Sequence, residues 1–382
     1  VRKRIVFVIN SIGFGGAERA LVNLLDAAGA RRDQYDVHLV LLDDDPEMRE
    51  TPAWPTKHVL DSRGSLLRTL RLLTPLLVRL RPALVVSFLV RANVATALAA
   101  RWIGFPAIVC ERMHLSSHLA GRYRGAVLWA TRLAPRMAYR SARAVLGVST
   151  GVTEDLVRNF GVSPDRAQTI FNPYDLEAIR RDAVQPPEIA LPDRFIVAVG
   201  RLEPSKNFGQ LIEAFIEARL PMSLVILGEG SERSALEAAV AKAGAQERIL
   251  LPGYVRNPFA IVARAEFFAA SSRNEGFPNA MVEAMVLGKP VVATDCPSGP
   301  AEILAGVVSL DSAVPVDAAY GVLVPEGSVA ALAEGLTRMA DPARARLYAG
   351  RAAERASAFD RGVVAERYWA LFDAVAASSD RS

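Results

Sequence analysis

Two α/β domains, each a parallel sheet covered by helices on both faces, are what this sequence predicts. Three observations carry the prediction: a length sufficient for two cores, an opening that runs strand, glycine loop, helix, and a second such opening after residue 193. The 382 residues are 51% apolar and 23% charged, which suits an ordinary globular chain and excludes a small binding module or a disordered tail. Cys110 and Cys296 are too few for a disulfide framework, and none of the four histidines lies in a cluster with metal-ligand spacing. The longest apolar stretch, Pro82 to Ala100, is broken by Arg91 and Asn93, and Ile5 to Ile9 is too short for the core of a secretion signal. Neither a membrane span nor an export leader is expected.

The run Arg4-Ile-Val-Phe-Val-Ile-Asn10 is short, unbroken and rich in β-branched residues, which predicts a buried strand. Ser11-Ile-Gly-Phe-Gly-Gly16 then predicts a turn, and the spacing of apolar residues from Ala17 to Ala28 a helix. Further strands are expected at Asp36 to Leu42, Leu84 to Ser87, Ala107 to Cys110, Ala144 to Val148 and Gln168 to Phe171, with helical stretches between most of them. From Asp175 to Asp193 the pattern turns polar and proline-bearing, which reads as a connection between domains. A second series follows: strand Phe195 to Val199, loop Gly200 to Asn207, helix Phe208 to Ala218, strand Ser223 to Leu227 and helix Ser234 to Ala243. Later strand-to-helix units include Val291 to Asp295 and Gly321 to Pro325, and two helices, Pro342 to Ala356 and Gly362 to Ala376, close the chain. The domains are therefore expected at 1–175 and 176–358, with 359–382 packing back on the first. Ligands of open α/β sheets bind beyond the carboxyl ends of the strands, so the expected site is a cleft between two such ends.

Charge is divided unevenly: residues 1–175 hold 24 Lys and Arg against 15 Asp and Glu, a net +9, and the remainder 21 against 26, a net −5. A basic half implies an anionic partner, and nucleic acid, lipid phosphates and a nucleotide-linked substrate all qualify at this level.

Three segments point to chemistry. Gly13-Phe-Gly-Gly-Ala-Glu18 sits where a dinucleotide fingerprint would, but Arg19 follows Glu18 where the spacing leads to a third glycine, which disfavours a nicotinamide site. Gly15 and Gly16 would still let backbone N–H groups approach an anion, or serve only a tight turn. Arg201 and Lys206, in the loop after the second domain's first strand, suit a diphosphate: Arg as a bidentate fork, Lys as a point charge. In Glu275-Gly-Phe-Pro-Asn-Ala-Met-Val-Glu283, Pro278 is expected in the first helical turn, so Glu275 lies just outside a helix and Glu283 inside it. Their carboxylates would stand on the order of 10 Å apart along the axis, enough to hold both ends of an extended nucleotide sugar.

At these residues the chain resembles the retaining glycosyltransferases of the GT-B fold, family 4, with their E-x7-E signature. The carriers are Gly15-Gly-Ala-Glu18, Asn172-Pro173, Gly200 to Asn207, Gly228-Glu-Gly230, Leu251-Pro-Gly-Tyr-Val255, Glu275 to Met285 and Asp295-Cys-Pro-Ser-Gly-Pro-Ala-Glu302. The last resembles the subgroup that builds glycans on polyprenyl-diphosphate carriers. The resemblance implies two Rossmann-like domains facing across a cleft, and transfer of a hexose or N-acetylhexosamine from a UDP sugar to a glycan or polyprenyl-diphosphate-linked acceptor. It implies Glu275 on donor-sugar hydroxyls, Glu283 on the ribose, Arg201 and Lys206 on the diphosphate with Gly15 and Gly16, and Tyr254, Val255 and Arg256 at the base. Gly276, Phe277, Pro278 and Asn279 would add contacts near the sugar and phosphates. No cofactor, metal or nucleic-acid partner is implied, and the expected location is cytoplasmic, either free or at the inner face of the cell membrane. Two rivals are a nucleotide-sugar epimerase or phosphorylase of the same fold, and a non-catalytic protein that binds a sugar nucleotide or nucleic acid.

The chain departs from the family after the strand at Ala107 to Cys110, where members often place Glu-His-Asn and this sequence reads Glu111-Arg-Met-His114. Glu111, Arg112 and His114 are all candidates for the cleft or the acceptor, His114 also for catalysis. A second departure is the long stretch Val307 to Ala319, read as a local lid or a solvated excursion. Asp43-Asp-Asp45 contains a D-x-D pattern and is read as a solvated turn. Leu66 to Arg81 and Arg122 to Arg143 pair arginines with apolar and aromatic residues and are candidates for contact with an anionic membrane, the first weakened by Pro75.

Overall fold

The computed structural model describes residues 2–13 and 15–378. Its contacts divide the chain into two compact units, Val1–Tyr174 with Arg361–Ser382, and Asp175–Asp360.

The first unit is built on seven strands: β1 (Lys3–Ile9), β2 (Tyr35–Leu41), β3 (Thr56–Val59), β4 (Leu84–Phe88), β5 (Ala107–Glu111), β6 (Ala144–Gly147) and β7 (Ala167–Thr169). They lie side by side as β3-β2-β1-β4-β5-β6-β7, all parallel. Ile5 of β1 is in register with Val37 on one side and Leu84 on the other. Residues 5–9 are wholly buried because both faces of the sheet are covered, which is why β1 reads as a continuous apolar run rather than an alternating one. One face packs on Leu21, Leu24 and Leu25, the other on Leu73, Leu77 and Ala95.

The helix Arg361–Ser378 completes the first of these cores. Trp369 and Phe372 meet Phe7 edge-on at 6.0 and 5.8 Å, and the Trp369 indole N–H donates to the Leu24 carbonyl at 3.3 Å. Its start is pinned by the Arg361 amide, which donates to the Tyr174 carbonyl at 2.7 Å.

Three features of this unit differ from the sequence reading. β3 has no apolar pattern to announce it: it is an edge strand, exposed at Thr56, Lys57 and Val59. Pro75 does not interrupt its helix, which runs unbroken over Leu66–Leu80 with Ser65 as N-cap; Leu73, Leu76, Leu77 and Leu80 face the core. Asp43 is not solvated. It holds the Arg91 guanidinium, the Ser62 hydroxyl at 2.9 Å and the Gly64 amide at 3.0 Å. Burial works to raise this carboxyl, but the Arg91 bond and the other donors bring it below the usual range.

The second unit repeats the design with β8 (Phe195–Val199), β9 (Ser223–Leu227), β10 (Ile249–Gly253), β11 (Phe267–Ala270), β12 (Val291–Thr294), β13 (Val316–Asp317) and β14 (Val322–Val324). Their order is β10-β9-β8-β11-β12-β14-β13, parallel except for β13, which runs antiparallel to β14. The polar stretch expected to be a connection instead opens with a helix, Leu176–Ala183. Asp175 caps it by accepting from the Ala178 amide at 3.0 Å, and Leu176, Ile179 and Ala183 form its buried stripe. The stretch from Val307 to Ala319 contains β13 and is tied down by Asp295, which accepts from the Ser309 hydroxyl and the Leu310 amide at 2.9 and 2.8 Å.

In both units strand order reverses at one point, between β1 and β4 in the first and between β8 and β11 in the second. Loops leaving the two strands at such a point diverge and open a crevice. Truncating Trp369 to Ala should cost about 3–5 kcal/mol in the unfolding transition of the first unit, measured by urea titration, because it opens a cavity against Phe7. An unchanged transition would mean that this helix is not part of that core.

Candidate functional site

The crevice of the second unit is shaped by backbone before any side chain enters it. The loop after β8 lies flat against the loop after β9: Gly200 N–H donates to Leu227 at 3.0 Å, Leu202 N–H to Glu229 at 2.8 Å, and Glu232 N–H returns to Leu202 at 2.9 Å. Gly228, at φ 142°, makes this approach possible, since a Cβ there would lie 1.9 Å from the Gly200 carbonyl oxygen. On its other side the same loop is held by the loop after β11, through the Arg273 amide to the Ser205 carbonyl and the Ser271 hydroxyl to the Lys206 carbonyl, both at 2.8 Å.

So held, Lys206 directs its ammonium at the Glu275 carboxylate, and the two form a largely buried ion pair across the reversal point. The Ser272 hydroxyl donates to the same Glu275 oxygen at 2.6 Å, and the Ser298 hydroxyl to the Glu275 carbonyl at 2.5 Å. Arg201 is exposed on the same loop and forms no ion pair among the described residues.

Gly276, Phe277 and Pro278 are buried beneath this pair, and Phe277 meets Phe359 edge-on at 5.3 Å. The helix begins one residue later than expected, at Asn279, with Pro278 as its N-cap. Gly299 fits against Pro278 at φ 97°, leaving no room for a side chain. Glu283 is buried in the second turn. Beyond β10, Tyr254 is half exposed, Val255 is buried, and Arg256 turns its amide and guanidinium to Glu188 at 3.3 and 3.6 Å. Cys296 is buried nearby, and burial together with the Glu275 charge drives its thiol well above its ordinary range.

The candidates of the first unit are occupied differently. Gly15 is the N-cap of the helix Gly16–Asp26, and the Glu18 carboxylate folds back over it so closely that a Cβ would collide. Glu111 ends β5 with no exposed surface, accepting from the Tyr139 hydroxyl at 2.8 Å and the Arg112 amide at 2.9 Å. Arg112 lies over the Phe88 ring and donates to Asn172 Oδ1 at 2.8 Å and the Tyr368 hydroxyl at 3.1 Å. His114 caps the helix Leu115–Arg122: its Nδ1 takes the Ser117 amide at 3.3 Å and lies 2.8 Å from the Ser117 hydroxyl, while Nε2 is 3.9 Å from Asp155. Glu111 is thus an interior group, Arg112 a tie between β5 and the last helix, and His114 a helix cap.

Comparison with known proteins decides what this arrangement belongs to. A family model described as glycosyltransferase family 4 matches residues 14–178, and one described as glycosyl transferases group 1 matches residues 193–341. A Campylobacter jejuni N-acetylgalactosamine-N,N'-diacetylbacillosaminyl-diphospho-undecaprenol 4-alpha-N-acetylgalactosaminyltransferase is 31% identical over 94% of this chain and 96% of its own. The chain belongs to glycosyltransferase family 4. Solved structures agree on its GT-B fold: Anabaena HepE in complex with UDP and glucose superposes with a TM-score of 0.76 at 20% identity, covering 98% of this chain and 100% of that one. A Thermosynechococcus elongatus sucrose-phosphate synthase gives 0.78 at 18% identity, covering 99% and 100%.

Within this family 4 glycosyltransferase, a hexosyltransferase, the fold brings Lys206 and Glu275 together as one site. Ser272 and Ser298, which complete it, escaped the sequence reading. Ser272 carried a signal, standing three residues before Glu275; Ser298 lies within the segment Asp295 to Glu302 and had no role assigned. Among the described residues no three His, Cys, Asp or Glu side chains gather as a metal site requires.

Burial pushes the Glu111 carboxyl up from 4.5 to about 7, outweighing the Tyr139 hydroxyl, the Arg112 and Met113 amides and the Arg112 charge. The folded chain holds this proton more tightly than the unfolded one, so its stabilising effect is full below pH 4.5 and is lost as pH rises through about 7. Glu111→Gln should remove that slope, roughly 3 kcal/mol across the window. Urea midpoints of the two proteins compared across this range give the measurement; parallel curves would place the titration elsewhere.

Proposed function

We propose that this hexosyltransferase moves a hexose or N-acetylhexosamine from a UDP sugar, with retention of configuration, to a hydroxyl of a polyprenyl-diphosphate-linked glycan. The observation that carries the donor part is the Lys206–Glu275 pair at the reversal between β8 and β11. A carboxylate that already holds an ammonium accepts sugar hydroxyls, and an ammonium beside it meets the phosphates that those hydroxyls bring with them. Glu275 then orients the sugar, Lys206 and Arg201 balance the charge of the departing diphosphate, and the buried Glu283 takes the ribose hydroxyls. In this reading leaving-group electrostatics lowers most of the barrier without a metal ion. Tyr254, Val255 and Arg256 line the base.

The acceptor part is supported by the relative from Campylobacter jejuni, whose name specifies a diphospho-undecaprenol acceptor and an alpha linkage. Hexoses in UDP donors are ordinarily joined to phosphate in the α configuration, so an α-linked product is one of retention. The rival readings of epimerase or binding protein have no comparable support.

Thermal unfolding in the presence of UDP, GDP and ADP, with chelator throughout, tests the donor site. UDP at about a hundred times its Kd should stabilise the wild type by ~3 kcal/mol, and Lys206→Ala and Glu283→Gln should lose most of that gain. No stabilisation by any nucleotide would remove the donor reading. In transfer to a lipid-linked acceptor, Lys206→Ala should lower kcat/KM by about a hundredfold or more, and the anomeric coupling in the product's proton spectrum should show the α linkage. A β-linked product would overturn retention, and free sugar or an epimer would overturn transfer.

A further inference from the structure

The helix Gly125–Tyr139 of the first unit turns its apolar residues outward. Its buried positions are Pro135, Ala138 and Tyr139, at its C-terminal end. On the opposite face, at 100° per residue, stand Trp129, Leu133 and Met137, exposed by 68, 37 and 69%. No charged residue falls within that outward arc, and Arg132 and Arg136 flank it on one side. Trp102, at the end of the neighbouring helix Val90–Ile103, is 63% exposed as well. An exposed apolar strip of this kind marks a surface that something covers.

Charge says what. From residue 112 to residue 153 the chain has seven arginines and neither Asp nor Glu. We propose that this face of the first unit docks on an anionic phospholipid bilayer, with Trp129, Leu133 and Met137 entering the headgroup and acyl boundary and the flanking arginines meeting lipid phosphates. A second copy of the chain is a poorer occupant, since a two-fold contact would set these arginines against themselves. Nucleic acid would match the arginines but leave the apolar strip uncovered. A bilayer with anionic headgroups satisfies both. The surface rests on the lipid-linked acceptor reading for its purpose, because it would hold the enzyme at the surface that carries such an acceptor. Its evidence is separate from that of the donor site.

Flotation of the full chain with vesicles tests the proposal, using phosphatidylcholine alone and phosphatidylcholine mixed with phosphatidylglycerol. The wild type should float with the mixed vesicles and not with the neutral ones. Trp129→Ser with Met137→Ser, and separately Arg132→Gln with Arg136→Gln, should each weaken binding by about tenfold or more. Both double variants should keep the wild-type thermal shift with UDP, which shows that they fold. Absence of flotation on anionic vesicles, equal flotation on neutral ones, or undiminished binding by the variants would overturn the proposal. So would a wild-type dimer in analytical ultracentrifugation that Trp129→Ser with Met137→Ser abolishes, since a second copy would then cover the face. Flotation without any nucleotide stabilisation would instead retain the membrane surface and defeat the donor reading.

Discussion

Close backbone approach is the constraint on which the second unit's site depends. Gly228 must lie against the Gly200 carbonyl for the loop after β8 to run flat on the loop after β9. Only in that course does the loop reach the segment after β11 and present Lys206 to Glu275. The ion pair is therefore a late consequence of a steric allowance two strands away. Its position follows from topology as well, since no other point in this sheet has two parallel strands whose connections leave in opposite directions.

The first unit has the same topology and spends its polar groups differently. Glu111, Tyr139 and Asn93 form a buried hydrogen-bonded set, with Asn93 also donating to the Cys110 carbonyl at 2.9 Å. Arg112 joins three separate segments of chain, and His114 and Asp155 secure the start of one helix, Asp155 through the Ser116 amide at 2.9 Å. Buried polar groups satisfied in this way rigidify a fold. The contrast between the units lies in where charge is neutralised: within the crevice in the second, within the framework in the first.

What was legible in the sequence follows from burial. Phe195–Val199 and Ser223–Leu227 are strands with the bounds the sequence pattern suggests, because both faces of a parallel sheet exclude water and leave no place for a polar residue inside the strand ends. Thr56–Val59 was illegible for the converse reason, since an edge strand exposed to solvent needs no apolar pattern. Leu176–Ala183 was hidden by its polar outer face, although its cap and its 176, 179, 183 stripe are a helix signature. At the site, Lys206 and Glu275 were legible by motif and loop position. The burial of Glu111 and the capping by His114 were not, because a residue just past a strand end can turn inward or outward and only its neighbours decide.

The helix Arg361–Ser378 belongs to the first unit but is made after the whole of the second. A chain emerging from the ribosome folds its segments in order of synthesis. Until the last helix arrives, Phe7 and the sheet face around it have no Trp369 or Phe372 to cover them. The nascent first unit must wait with an open apolar face while the whole of the second unit is added, and closes only once this helix has been made. Translation speed through the second unit thereby sets how long that face stays available to chaperones or to a neighbouring chain.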